Sequence, residues 1–290
     1  MNIFKSTHRK ARAVTVIAAL AATGIAIPVS QAAAAHTVAR TGAHIVADTA
    51  SSRAAKPSIV LVHGAWADSS SWNGVVSRLQ HDGYKVFVPP NPLEGLTYDA
   101  ATIRDFLHSI PGPIILVAHS YGGAVITNAA TGDKQVKALV YVDAFIPAKG
   151  QTIGQLVSAV PGTCTIPANL VLVPFPGAPA GVVDAYIKQS VFASCMANGL
   201  PAAEAAVLPT TQRPLATIAL GQKSGVPAWL TIPSWAVVGT ADHAIPAAEQ
   251  ITMAKAAHAH ITTVKAPHLS MISNPGVVTG VILKAVRATT

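Results

Sequence analysis

The chain has 290 residues, 51% of them hydrophobic and only 11% charged, so it can bury a large core as one big domain or two small ones. Its formal net charge is +8, but Lys5, Arg9, Lys10 and Arg12 fall within the first 35 residues, which hold no acid, so the remainder carries +4. Those remaining cations are scattered rather than interleaved with aromatics, which argues against a nucleic-acid surface.

The leading cations precede an uncharged apolar run from Ala13 to Val29 and then "SQAAAA". A basic head, an apolar middle and small residues for cleavage predict a signal peptide over residues 1–35, cut near Ala32 to Ala35, and hence a secreted protein, extracellular or periplasmic. Pro, Gly or a charge interrupts every later apolar stretch, so no membrane segment is expected after cleavage. Export carries Cys164 and Cys195 into an oxidising compartment, where an even pair predicts a disulfide. Closing a loop of about 32 residues is worth roughly 3 to 4 kcal/mol through the unfolded chain. Residues 36–57 are small and polar and read as a leader or weak edge segment.

From Ser58 the pattern changes to short continuous apolar runs, which suit strands covered on both faces. They are "SIVLVHG" (58–64), "YKVFVPP" (84–90), "PIILVAH" (113–119), "VKALVYVD" (136–143), "IPSWAVVG" (232–239) and "HITTVKA" (260–266). Helical spacing appears between and after them, at 72–81, 98–109, 121–131, 246–257 and 275–286. The alternation predicts an α/β fold, a mostly parallel sheet with helices on both faces, with its core in residues 58–145 and 228–290. Residues 146–227 break the rhythm, with Pro and Gly punctuating amphipathic pieces such as "VVDAYIKQSVFASCM". A structureless loop of that length is improbable in a compact domain, so a helical insertion is expected, and both cysteines fall inside it.

Ser120 stands between the strand "PIILVAH" and the helix "YGGAVITNAA". A sharp strand-to-helix turn tips such a side chain above the sheet edge, where parallel sheets bind ligands. Ala118 and Gly122 supply the small neighbours of a nucleophile elbow, GxSxG with Ala in the first place. A serine hydroxyl attacks only when a base takes its proton and an acid orients that base. Asp242 and His268 each follow a later strand, in the order acid then histidine, and complete the candidate triad. Asp143, which ends "LVYVD" beside the elbow, is the rival acid. The developing oxyanion needs donors, expected from the backbone amides of Tyr121 and Ala65, the latter in the loop "HGAWADSSSW". His63 and His119 are read as structural, Trp66 as the aromatic best placed to wall a substrate pocket, and His258 with His260 as lacking a third metal ligand.

The segments "IVLVHGAWADSSSW", "AHSYGGAV", "LVYVDAFIP", "QRPLA", "PAWLTIPSW" and "HLSMISNP" resemble the α/β-hydrolase fold family, in its small-lid branch with plant methyl esterases, hydroxynitrile lyases and bacterial esterase-like members. The resemblance runs from about Ser58 to the C-terminus. It implies that residues 146–227 form a helical lid, that Ser120, Asp242 and His268 are the triad, and that Ala65 and Tyr121 hold the oxyanion. Hydroxynitrile lyases of this branch place a lysine directly after the catalytic histidine, where this chain has Leu269, so ester hydrolysis is implied instead. Relatives that hydrolyse epoxides or carbon–halogen bonds resemble one another in an aspartate at the elbow, unlike Ser120. Ala118 in place of glycine and the two lid cysteines depart from the family pattern. The expected protein is a secreted serine esterase for a small to medium apolar ester, using no metal or organic cofactor. The alternatives are a catalytically weak ligand-binding homologue and cofactor-free perhydrolase or lyase chemistry at the same serine.

Overall fold

The computed structural model describes residues 56–290, so the expected signal peptide and nearly all of the 36–57 leader lie outside the described residues. Strand β1 (Ser58–Val62) is followed by α1 (Asn73–His81), β2 (Val86–Phe87), α2 (Leu96–His108), β3 (Ile114–His119), α3 (Tyr121–Ala129) and β4 (Val136–Val142). All six expected strands form, each within a few residues of its apolar run.

Alternation along the strands splits the core in two. Val60, Val62, Leu116 and Leu139 face a layer with Ile103, Leu107, Val125 and Ile126 of α2 and α3. Ile59, Leu61, Ile115, Val117 and Val140 face the opposite layer, with Val75 and Leu79 of α1 and Val278 and Ile282 near the C-terminus. Residues of β1 and β3 are therefore buried whichever way they point. That is why these strands read as unbroken apolar runs. Each fully buried Val, Leu or Ile stabilises the fold by roughly 1.5 to 3 kcal/mol.

The insertion holds α4 (Ile153–Ala159), β5 (Leu170–Val173), β6 (Asp184–Ile187), α5 (Gln189–Met196), α6 (Ala202–Val207), β7 (Leu215–Ala216) and α7 (Ile218–Gly221). It is mixed rather than helical: β5, β6 and β7 form a three-stranded antiparallel sheet. The segment expected as one amphipathic piece breaks at Lys188, whose extended ψ of 130° separates strand β6 from helix α5. In β6 Ala185 and Ile187 alternate inward, a period of two carried over only four residues. Cys164 and Cys195 are joined, with Cα atoms 5.5 Å apart.

The chain returns through β8 (Ser234–Gly239), α8 (Ala247–Ala256), β9 (His260–Val264), α9 (Ser270–Ser273) and α10 (Pro275–Thr289). The central sheet has six strands in the order β2-β1-β3-β4-β8-β9, every adjacent pair parallel. Loops after β1, β3, β4, β8 and β9 consequently gather at one edge. Among the described residues, no helix is long and apolar enough to cross a membrane.

Candidate active site

Ser120 occupies the single residue between β3 and α3, with φ 53° and ψ −127°. A non-glycine residue in such a conformation costs on the order of 1 to 3 kcal/mol and persists only where its surroundings hold it. Here the carbonyl of Ser120 accepts from the amides of Gly123 (2.9 Å) and Phe145 (3.2 Å), and its own amide donates to Val142 O at 3.2 Å. The neighbouring chains must approach closely: a Cβ on Gly122 would sit 2.9 Å from the carbonyl oxygen of His63. Ala118, where the family pattern has glycine, is fully buried in β3 between Val62 and Tyr141.

His268 follows β9, and its Nε2 lies 2.8 Å from Ser120 Oγ. Its Nδ1 lies 2.7 Å from Oδ2 of Asp242. With Nδ1–H donating to the carboxylate, Nε2 is left to accept from the serine hydroxyl. Asp242 is fixed in turn: Oδ1 accepts from the backbone amides of Ala244 (2.7 Å) and Ile245 (2.9 Å), and Oδ2 from the side-chain Nε2 of Gln250 at 2.7 Å. Burial alone would lower the pKa of His268, but the charge and hydrogen bond of Asp242, with Asp143 behind them, outweigh it and raise the pKa above the ordinary histidine value.

Asp143, the rival acid, is not the residue brought to the imidazole nitrogen. Its Oδ1 accepts from the amide of Gly239 (2.7 Å) and its Oδ2 from that of Ser270 (3.2 Å), so it ties the acid loop to the histidine loop. Burial and the Asp242 charge push its carboxyl up to about 8.

Both candidate oxyanion amides are available: among the described residues, neither Ala65 N–H nor Tyr121 N–H donates to a group of the chain. Tyr121 is the first residue of α3 and has no intrahelical acceptor. His63 braces the Ala65 loop, donating from Nδ1 to Gly64 O (2.9 Å) and accepting from the Asn91 amide at Nε2 (3.0 Å). Burial lowers its pKa to about 4, so it stays neutral. His119 donates from Nε2 to the carbonyl of His268 (2.9 Å), its ring centre 4.6 Å from that imidazole. Burial keeps it neutral as well.

Sequence reasoning missed Asp99. This fully buried carboxyl in the first turn of α2 accepts from the phenol of Tyr121 at 2.7 Å and from the Glu94 amide at 3.0 Å. It thereby ties the start of α2 to the start of α3. Burial raises its pKa to about 6. Its one trace in the sequence is an acid four residues after Gly95, which also suits an ordinary helix start.

A cavity of about 220 Å³ opens over Ser120 and His268, walled by Trp66, Phe145, Ile153, Leu170, Leu215 and Ile245. Its lining holds no Asp, Glu, Lys or Arg. Trp66 is the tryptophan that reaches it, whereas Trp72 and Trp235 are core residues. Among the described residues, no group of three or more His, Cys, Asp or Glu side chains is arranged to hold a metal ion.

Residues 59–280 match the model of a family described as the alpha/beta hydrolase family. A carbendazim hydrolyzing esterase from Nocardioides sp. (strain SG-4G) is 36% identical over 107 residues, which are 32% of this chain and 44% of that relative, so the match spans less than half of the relative's length. The crystal structure of a pyrethroid hydrolase from Sphingobium faniae JZ-2 superposes with a TM-score of 0.64 at 23% identity, covering 80% of this chain and 98% of that one. A methylesterase from Arabidopsis superposes with a TM-score of 0.65 at 16% identity, covering 80% and 99%. Likenesses at these identities establish a shared fold.

Proposed function

Because the chain belongs to the alpha/beta hydrolase family, we propose that it is a secreted serine hydrolase that cleaves a small to medium apolar carboxylic ester. The observation that carries this reading is the unbroken relay from Ser120 Oγ through His268 to Asp242, at 2.8 and 2.7 Å, beneath an apolar cavity. Neither distance needs a rearrangement before proton transfer.

In the proposed cycle His268 Nε2 takes the hydroxyl proton as Ser120 Oγ attacks the ester carbonyl. The amides of Ala65 and Tyr121 hold the oxyanion, and Asp242 stabilises the imidazolium. His268 then gives its proton to the departing alcohol, leaving an acyl group on Ser120. Water, deprotonated by His268, releases the acid and restores the enzyme. With no charged residue in the lining, both ester substituents are expected to be uncharged. Esterase and hydrolase names among the relatives support the reaction class. The basic head, apolar run and small residues of segment 1–35 and the Cys164–Cys195 bond support secretion.

The test is turnover of p-nitrophenyl acetate and butyrate by the mature chain, with labelling of Ser120 by a fluorophosphonate. Ser120→Ala is expected to lose both. A variant retaining more than about a hundredth of the wild-type rate would remove Ser120 as the nucleophile. Failure of the folded wild type to label would favour a ligand-binding homologue.

A further inference from the structure

We propose that Trp66 is a positioning residue that holds the oxyanion amide of Ala65 in place by hooking its loop onto the insertion, beyond its part in the cavity wall. The proposal rests on the esterase reading, since it assigns a role to the loop that reading uses. Trp66 directly follows Ala65 and adopts φ 58°, a left-handed conformation that a bulky side chain avoids. Something must hold it there, and two hydrogen bonds do.

Its amide donates to Arg213 O at 2.9 Å, and its indole Nε1 donates to Ala185 O at 2.8 Å. Both acceptors are backbone carbonyls of the insertion. Arg213 completes a circuit, because its guanidinium donates to Asn91 O at 2.9 Å while the Asn91 side chain donates to His63 O at 3.0 Å. Segment 63–66 is thus gripped by the core on one side and by the insertion on the other. Without the indole bond only the amide bond to Arg213 O still restrains residue 66, so its φ can relax toward an ordinary value and the amide one residue upstream shifts with it.

A mere wall and a positioning hook differ in what they change. Altering a wall changes how substrate binds, whereas displacing an oxyanion donor lowers the rate of the bound complex. Trp66→Phe keeps an aromatic ring in the wall but removes the indole donor together with the bulk of the pyrrole ring, so Arg213→Ala serves as the variant that alters the hook without touching the wall. Arg213→Ala leaves the cavity lining untouched, since Arg213 is not part of it, and loosens the segment that supplies one acceptor. For p-nitrophenyl acetate and butyrate, Trp66→Phe is expected to lower kcat by about 10- to 100-fold, up to the cost of a misplacement of about 1 Å and below the roughly 100- to 1000-fold cost of losing an oxyanion donor outright. Arg213→Ala is expected to lower it by roughly 3- to 10-fold, with KM within about twofold of wild type in both variants. Arg213→Lys replaces it should the alanine variant not fold.

A raised KM with unchanged kcat in Trp66→Phe would make the residue a wall only and overturn the proposal. So would folded forms of both variants, matched in melting temperature to wild type within a few degrees, that keep wild-type kcat. If turnover disappears in Ser120→Ala while Trp66→Phe and Arg213→Ala both remain fully active, only this proposal falls. A wild type that turns over no ester sinks the esterase reading and the proposal with it.

Discussion

Gly64→Ala adds a single methyl group directly against Ser120. A Cβ at position 64 would stand 2.6 Å from Ser120 Cβ, 2.9 Å from His119 O and 3.1 Å from His119 Nδ1. Ordinary carbon contacts begin near 3.5 Å, so the loop and the elbow must part by about 0.9 Å. Neither side yields readily, because Ser120 is held by three backbone hydrogen bonds and His119 by the carbonyl of His268. Overpacking of this kind costs about 1 to 3 kcal/mol. For a domain of this size that is a melting temperature lower by roughly 2 to 12 °C. The catalytic loss is expected to exceed the structural one, since a shift of about 1 Å between nucleophile and oxyanion donor costs on the order of 100-fold in kcat. Steady-state kinetics on p-nitrophenyl butyrate, with thermal unfolding followed by circular dichroism, measures both. A folded variant whose kcat stays within about twofold of wild type would refute the reasoning, by showing that the loop has slack the distances deny.

Asp242→Asn is expected to lower kcat by about 10⁴, because the amide cannot hold His268 in the required tautomer. Asp143→Asn should keep far more activity and lose stability instead, measured by the same kinetics and melting pair; the reverse order would make Asp143 the working acid. The acid limb of the kcat/KM profile reports His268, which must be neutral to accept the serine proton, so its midpoint is expected above 6.5, where the raised pKa puts it. The His268–Asp242 pair also supports the fold, most fully below pH 6.5, and this support is lost as pH rises through the folded value. Ester hydrolysis should therefore increase over the interval in which that contribution to the melting temperature declines, and a limb midpoint below 6.5 would contradict the geometry.

The central sheet was legible because strands buried on both faces leave unbroken apolar runs, and the elbow because its turn demands small residues around one hydroxyl. The insertion was not. In "LVLV" of β5, Val171, Leu172 and Val173 are 45%, 57% and 40% exposed, so their hydrophobicity carried no information about burial. Strand β6 is four residues long and runs almost directly into α5, too short for its period of two to stand out. Asp99 was hidden for a different reason. Its partner Tyr121 is 22 residues away and the bond exists only because α2 and α3 pack side by side. His119 was read as structural, and sequence offered no sign that its ring would carry the backbone of His268.

The strand order of the sheet also dictates when reactivity arises. Position 120 is synthesised well before its two partners, and β9, which leads to the imidazole, docks on β8 at the far edge from β2. Without that edge strand in place, nothing holds His268 Nε2 at its 2.8 Å separation from Ser120 Oγ. If the proposed relay operates, its three members are therefore assembled only when the C-terminal part of the sheet is in place, because the imidazole is carried by the loop that follows the edge strand.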